Sequence, residues 1–99
     1  MNSSGLSKQQ HLTLLTILQG YPHVQSAYLF GSRAMGSFKE NSDIDIVLTG
    51  EALTLTDIAN ILVQIEQTTI PFKVDVLIKH KIKNTALIEH INQFAVKWF

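Results

Sequence analysis

The chain has 99 residues, which makes one domain over 1–99 with no second core, and a chain this short leaves room for a homo-oligomer or a hetero-oligomeric partner. A composition of 45% hydrophobic and 16% charged residues is globular rather than disordered, and a formal net charge of zero argues against direct nucleic-acid binding through broad electrostatic attraction. The absence of cysteine excludes disulfide frameworks and thiolate metal sites and accords with a reducing cytoplasm.

Residues 1–6 read as a loose tail. Met1-Asn2-Ser3-Ser4-Gly5 lacks the charged start and apolar core of a signal peptide, and no apolar run is long enough to span a bilayer, so a cytoplasmic protein without membrane association is expected. Ser7 with Gln10 has the form of a capping box, and Leu12, Leu14, Leu15, Ile17 and Leu18 follow before Gly20 stops the helix. After the Tyr21-Pro22 turn, Val24 to Phe30 is a short apolar run suited to a buried strand. Ser32 to Met35 fits one helical turn, and Gly36 to Ser42 is polar loop.

Ile44, Ile46 and Leu48 alternate with Asp43, Asp45 and Val47, which predicts a second strand ended by Gly50. Thr54 or Thr56 caps a helix with Ile58, Ile61, Leu62 and Ile65 at i, i+3, i+4 and i+7. Pro71 leads into a third strand, Phe72 to Ile78. A lysine-rich loop follows, and Asn84 caps a last helix with Leu87, Ile88, Ile91, Phe94, Ala95 and Trp98 on one stripe. Strands interleaved with helices predict the α/β or α+β class, with helices packed on one sheet of about three strands.

Side chains two apart on a strand share a face, so Asp43 and Asp45 project together, with Cα atoms roughly 6–7 Å apart, while Ile44 and Ile46 enter the core. Carboxylates at that spacing can converge on one divalent ion or bridge a pair about 3.5–4 Å apart. Asp75 has the same pattern on another strand and joins them if the two strands are neighbours. Oxygen-only ligands favour magnesium or manganese over zinc. The competing reading is a set of solvated aspartates on a half-exposed sheet, although aspartate is a poor strand former. At the end of the first strand, Gly31 lets the backbone approach a ligand, and Ser32 and Arg33 offer a hydroxyl and a fixed positive charge to phosphate; an ordinary Gly-Ser turn is the alternative.

Together, Gly31-Ser32, ten residues, then Asp43-Ile44-Asp45 form a G-S-x10-D-x-D pattern that resembles the signature of the DNA polymerase β-like nucleotidyltransferase superfamily. Phe30-Gly31-Ser32-Arg33-Ala34-Met35-Gly36 and Asn41-Ser42-Asp43-Ile44-Asp45-Ile46-Val47-Leu48 look like its small prokaryotic branch, the minimal nucleotidyltransferases. Lys73-Val74-Asp75-Val76-Leu77 resembles the segment with the family's third carboxylate, and the likeness extends over roughly residues 24–78. The resemblance implies a mixed sheet flanked by helices, ATP as substrate, and transfer of AMP with release of pyrophosphate. It implies that Asp43 and Asp45 ligate two Mg2+ ions, with Mn2+ as an alternative. Asp75 would ligate the catalytic one and help deprotonate the acceptor, Gly31 and Ser32 would hold the β- and γ-phosphates, and Arg33 is a weaker candidate for them.

Larger relatives carry a separate acceptor-binding domain, for which this chain has no residues left. The resemblance therefore implies a partner: a HEPN-domain toxin, for which such minimal proteins serve as antitoxin, some by transferring AMP to a tyrosine of the toxin. A nucleotide-binding antitoxin that neutralises by contact, with no catalysis, is the alternative. Lys79, Lys81 and Lys83 read as a solvated loop, or as a surface for an acidic partner or RNA. His11, His23, His80 and His90 share no spacing and are assigned to surface or boundary positions. Trp98 is expected in the core from the last helix, and Phe99 is expected to be available to a partner.

Overall fold

Side chains fix the helix starts. In the computed structural model, which describes residues 4–99, Ser7 accepts from the Gln10 N–H while the Gln10 side chain accepts from the Ser7 N–H, opening α1 (Lys8–Gln19). Thr54 and Asp57 form the same reciprocal pair at the start of α3 (Leu55–Glu66), and Asn84 accepts from the Leu87 N–H to open α4 (Thr85–Phe94). Each such cap is worth about 1 kcal/mol, because it satisfies backbone donors that the helix leaves unpaired. The Asp57 carboxylate also meets the His23 ring at 3.0 Å, tying the turn before the first strand to α3.

The strands are β1 (Ser26–Phe30), β2 (Ile44–Thr49), β3 (Val74–Ile78) and β4 (Val96–Lys97), with a four-residue helix α2 (Ser32–Met35) between β1 and β2. They form one mixed sheet in the order β3-β2-β1-β4. β1 is antiparallel to β2 and β4, whereas β2 and β3 are parallel, as the α3 crossover requires.

Both faces of the sheet are covered. Ala27, Leu29, Ile44, Ile46 and Leu48 pack against Leu14, Ile17 and Leu18 of α1 and Ile58, Ile61 and Ile65 of α3. On the other face Phe30 and Val47 pack against Ile91 of α4, with Tyr28, Leu77, Ile82 and Leu87 around them. Fully burying one such aliphatic side chain contributes about 1.5–3 kcal/mol. The expected division of the second strand into a chemical face and a packing face therefore holds only at its start, since Val47 lies on the Asp45 face and is fully buried.

Two expectations are corrected at the chain's ends. The last helix stops at Phe94: Ala95 has ψ 138, and Val96-Lys97 pair with Tyr28 and Leu29 as a fourth strand. Trp98 donates its backbone N–H to the Ala27 carbonyl at 2.8 Å, and its ring lies tilted against His11 at 4.6 Å between centroids, so it reaches the core from the sheet edge. The Phe99 carbonyl accepts from the Ala27 N–H, and its side chain is half-buried against the main core. An unpaired edge of β1 is thereby covered. At the other end, the tail expected over 1–6 lies outside the described residues for 1–3, but Leu6 is buried in the core and Ser4 is buried beside it. Among the described residues no helix is long and apolar enough to cross a membrane.

Candidate active site

The parallel register of β2 and β3 sets Asp45 directly beside Asp75. In-register neighbours on adjacent strands lie about 4.8 Å apart with side chains on one face. Asp43, two residues earlier, is exposed just ahead of β2 on the same side. The three sequence-predicted carboxylates thus come to one end of the central strand pair. Burial, then Asp75, then Asp43 push the Asp45 carboxyl above its ordinary range, with Lys73 pulling the other way. Lys73 reaches Asp75 at 3.8 Å, but both side chains are well exposed, and such a contact is weak.

Across the other side of β2, Phe30 pairs with Asp45, so Gly31 turns away right beside that carboxylate. A Cβ on Gly31 would run into the Asp45 carboxylate oxygen, and the residue sits at φ 75, which L side chains rarely adopt. Glycine is required here twice over. Its N–H donates to Nε2 of His90 at 2.9 Å. Its own donor is thereby committed, and Ser32, the first residue of α2, follows it half-buried.

Arg33 occupies a different place from the one the sequence suggested. Only 2% exposed, its guanidinium donates to the Ser42 carbonyl through Nε and Nη2 and to the Ser4 carbonyl through Nη1. It lies 4.4 Å from the Phe72 ring centre and 5.2 Å from that of Phe38. Burial lowers its pKa, though an arginine stays charged. Its donors thus face the Ser4 and Ser42 carbonyls. Through Ser42, Arg33 anchors the residue that precedes Asp43. Ser42 itself is held by reciprocal bonds with Lys39: its hydroxyl accepts from the Lys39 N–H at 2.7 Å, and its N–H donates to the Lys39 carbonyl at 3.1 Å.

His90 is the residue that sequence reasoning missed. It follows Leu87 by three and precedes Phe94 by four, so it shares a helix face with these apolar residues, of which Leu87 packs toward the sheet. That placement was the available signal. Lys79–Lys81 form one 3-10 turn with exposed side chains. Lys79, His80, Ile82 and Ile88 help line a cavity of about 410 Å3 near Thr49, at the opposite end of β2 from Asp45.

A sequence model of the family described as Polymerase beta, Nucleotidyltransferase matches residues 13–96. No curated protein matches the chain. Among solved structures, a toxin–antitoxin with AMP-PNP superposes with a TM-score of 0.74 at 22% identity, over 90% of this chain and 72% of that one. A tri-AMPylated Shewanella oneidensis HEPN toxin in complex with MNT antitoxin gives 0.67 at 19% identity, over 90% and 68%. A protein described as a minimal nucleotidyltransferase gives 0.70 at 24% identity, over 97% of this chain and 95% of the other.

Proposed function

Because the chain belongs to the polymerase β nucleotidyltransferase family, we propose that it is a magnesium-dependent enzyme that transfers AMP from ATP to a tyrosine hydroxyl of a HEPN toxin, and so acts as that toxin's antitoxin in the cytoplasm. The observation that carries this reading is the convergence of Asp45 with Asp75 in register, Asp43 beside them, and a turn at Gly31 where the Asp45 carboxylate leaves no room for a Cβ. The partner and the nucleotide are carried over from the similar structures, one a toxin–antitoxin with AMP-PNP and one an AMPylated HEPN toxin with its MNT antitoxin.

The donor set fits Mg2+, or Mn2+ in its place: it is all carboxylate oxygen, and Asp45 is destabilised as an anion by burial and by its two neighbours. Among the described residues no three His, Asp or Glu side chains are gathered as a ready cage. When bound, two such ions supply positive charge that offsets the triphosphate and the charge developing in displacement.

The chain's own residues do the rest. Ser32 offers its hydroxyl to the β- and γ-phosphates, on a corner whose shape Gly31 provides. Arg33 fixes the loop that ends at Ser42 and so sets Asp43. Asp75, with 43% side-chain exposure, is open to an incoming hydroxyl and takes its proton. The hydroxyl oxygen bonds to the α-phosphorus as the bond from that phosphorus to the β-bridging oxygen breaks, and pyrophosphate leaves. Alignment of the two reactants supplies much of the rate.

To test this, the protein is incubated with ATP, Mg2+ and a HEPN toxin, and the toxin is weighed by intact mass spectrometry. One or more added AMP masses, lost with Asp45→Ala, are expected. An unmodified partner that is still neutralised by both the native chain and Asp45→Ala would instead identify an antitoxin acting by contact alone.

A further inference from the structure

We propose that His90 is a positioning residue of the nucleotide site: as a neutral imidazole protonated on Nδ1, it holds the Gly31 N–H and so locks the corner that presents Ser32 to the triphosphate. The inference rests on the nucleotidyltransferase reading and adds to it a residue outside the G-S-x10-D-x-D pattern.

The geometry is specific. The Gly31 N–H meets Nε2 at 2.9 Å, and a ring nitrogen that accepts carries no proton, so the proton must sit on Nδ1. The ring is held in place on both sides, by Phe30 edge-on at 6.2 Å and by Phe94 at 5.3 Å between centroids. One residue further along α4, Ile91 is 4% exposed and packs with Phe30 and Val47, which anchors the helix against the strands that carry Gly31 and Asp45. His90 thus joins α4 to the end of β1, beside the carboxylate that Gly31 abuts.

A purely structural residue here has no need of a nitrogen. The neighbours Phe30, Ile91 and Phe94 would accept leucine, but leucine would leave the Gly31 donor free to rotate toward the phosphates or to water. Committing that donor fixes the peptide plane between Phe30 and Gly31, and with it the direction in which Ser32 leaves the strand.

The test uses the full chain and Mg2+ with AMP-PNP as probe, comparing the native protein with His90→Leu, His90→Gln and His90→Lys. The glutamine amide oxygen can accept at about the reach of Nε2, whereas leucine and lysine cannot. Calorimetric titration is expected to show affinity about tenfold weaker in His90→Leu and His90→Lys, the size of one lost hydrogen bond, and largely restored in His90→Gln. Thermal melting is measured alongside, and His90→Leu is expected to melt close to the native chain. Nitrogen-15 spectra supply a readout independent of nucleotide: Nδ1 protonated, Nε2 unprotonated, and a Gly31 amide resonance that moves in His90→Leu and returns in His90→Gln.

Nucleotide binding by all three variants as tight as by the native chain would overturn the proposal alone. So would an Nε2-protonated ring, or a Gly31 amide indifferent to the substitutions. If the native chain shows the Gly31 signature but no affinity for Mg2+ with AMP-PNP, the nucleotide reading fails and the proposal falls with it.

Discussion

Asp45 and Asp75 stand side by side in register on parallel strands, and Asp75 is second only to burial in holding the Asp45 carboxyl above its ordinary value. Two like charges placed together on one sheet face weaken the fold unless a cation joins them. The arrangement is a cost in stability that a metal–nucleotide complex would relieve.

Asp45→Asn should therefore stabilise the metal-free chain at neutral pH while abolishing transfer. A raised folded-state pKa means that the native state keeps a proton the unfolded state has lost. Stability then falls as pH rises from about 3.9, the unfolded value, through the folded value, and the loss is complete above it. Thermal melts without Mg2+ should show the variant higher by roughly a few degrees at pH 7 and indistinguishable from the native chain below about pH 3.5. Added Mg2+ should narrow the gap at pH 7. A variant that melts lower at pH 7 would contradict this electrostatic account.

Gly31→Ala and Gly36→Ala should differ in cost. Gly36, at φ 78 and ψ 7, is left-handed helical, and a Cβ there meets nothing within 4 Å. Gly31, at φ 75 and ψ -158, lies in a region essentially confined to glycine, and a Cβ there also meets Asp45. Gly36→Ala should lose about 1 kcal/mol from left-handed strain. Gly31→Ala should lose clearly more, and transfer activity as well, because both the backbone and the Asp45 carboxylate must move. Equal losses, read by denaturant titration, would contradict this account.

Arg33→Lys should lower stability rather than specifically weaken ATP binding. Lysine keeps the charge but loses the planar fork that spans the Ser42 and Ser4 carbonyls and stacks between two rings. Leaving one buried carbonyl unpaired costs about 1–3 kcal/mol, roughly 4–8 °C of melting temperature per kcal/mol in a domain of this size. Unchanged melting together with a raised KM for ATP would return Arg33 to the phosphates.

Local signals were legible in the sequence where short-range chemistry decides the outcome. Ser7 with Gln10, the Thr54 cap and Asn84 marked the helix starts, and the alternation around Asp43 and Asp45 marked β2. What escaped depended on distant partners. The apolar stripe runs on through Ala95 and Trp98 as if helical, but hydrogen bonding to the edge at Ala27 takes Trp98 and Phe99 into the sheet region instead. Arg33 looked like a phosphate ligand because the carbonyls that claim it belong to Ser4 and Ser42, and only the folded loop brings them together. His90 lies 59 residues from Gly31 and meets it only when α4 docks on the sheet.

The most direct measurement follows two labels in ATP with the native chain, Mg2+ and a HEPN toxin. Nucleotidyl transfer predicts that label in the α-phosphate stays on the partner while label in the γ-phosphate leaves as pyrophosphate, with no transfer after chelation by EDTA or in Asp45→Asn. Label from the γ-phosphate on the partner, or α-label transfer that persists in Asp45→Asn, would contradict the account.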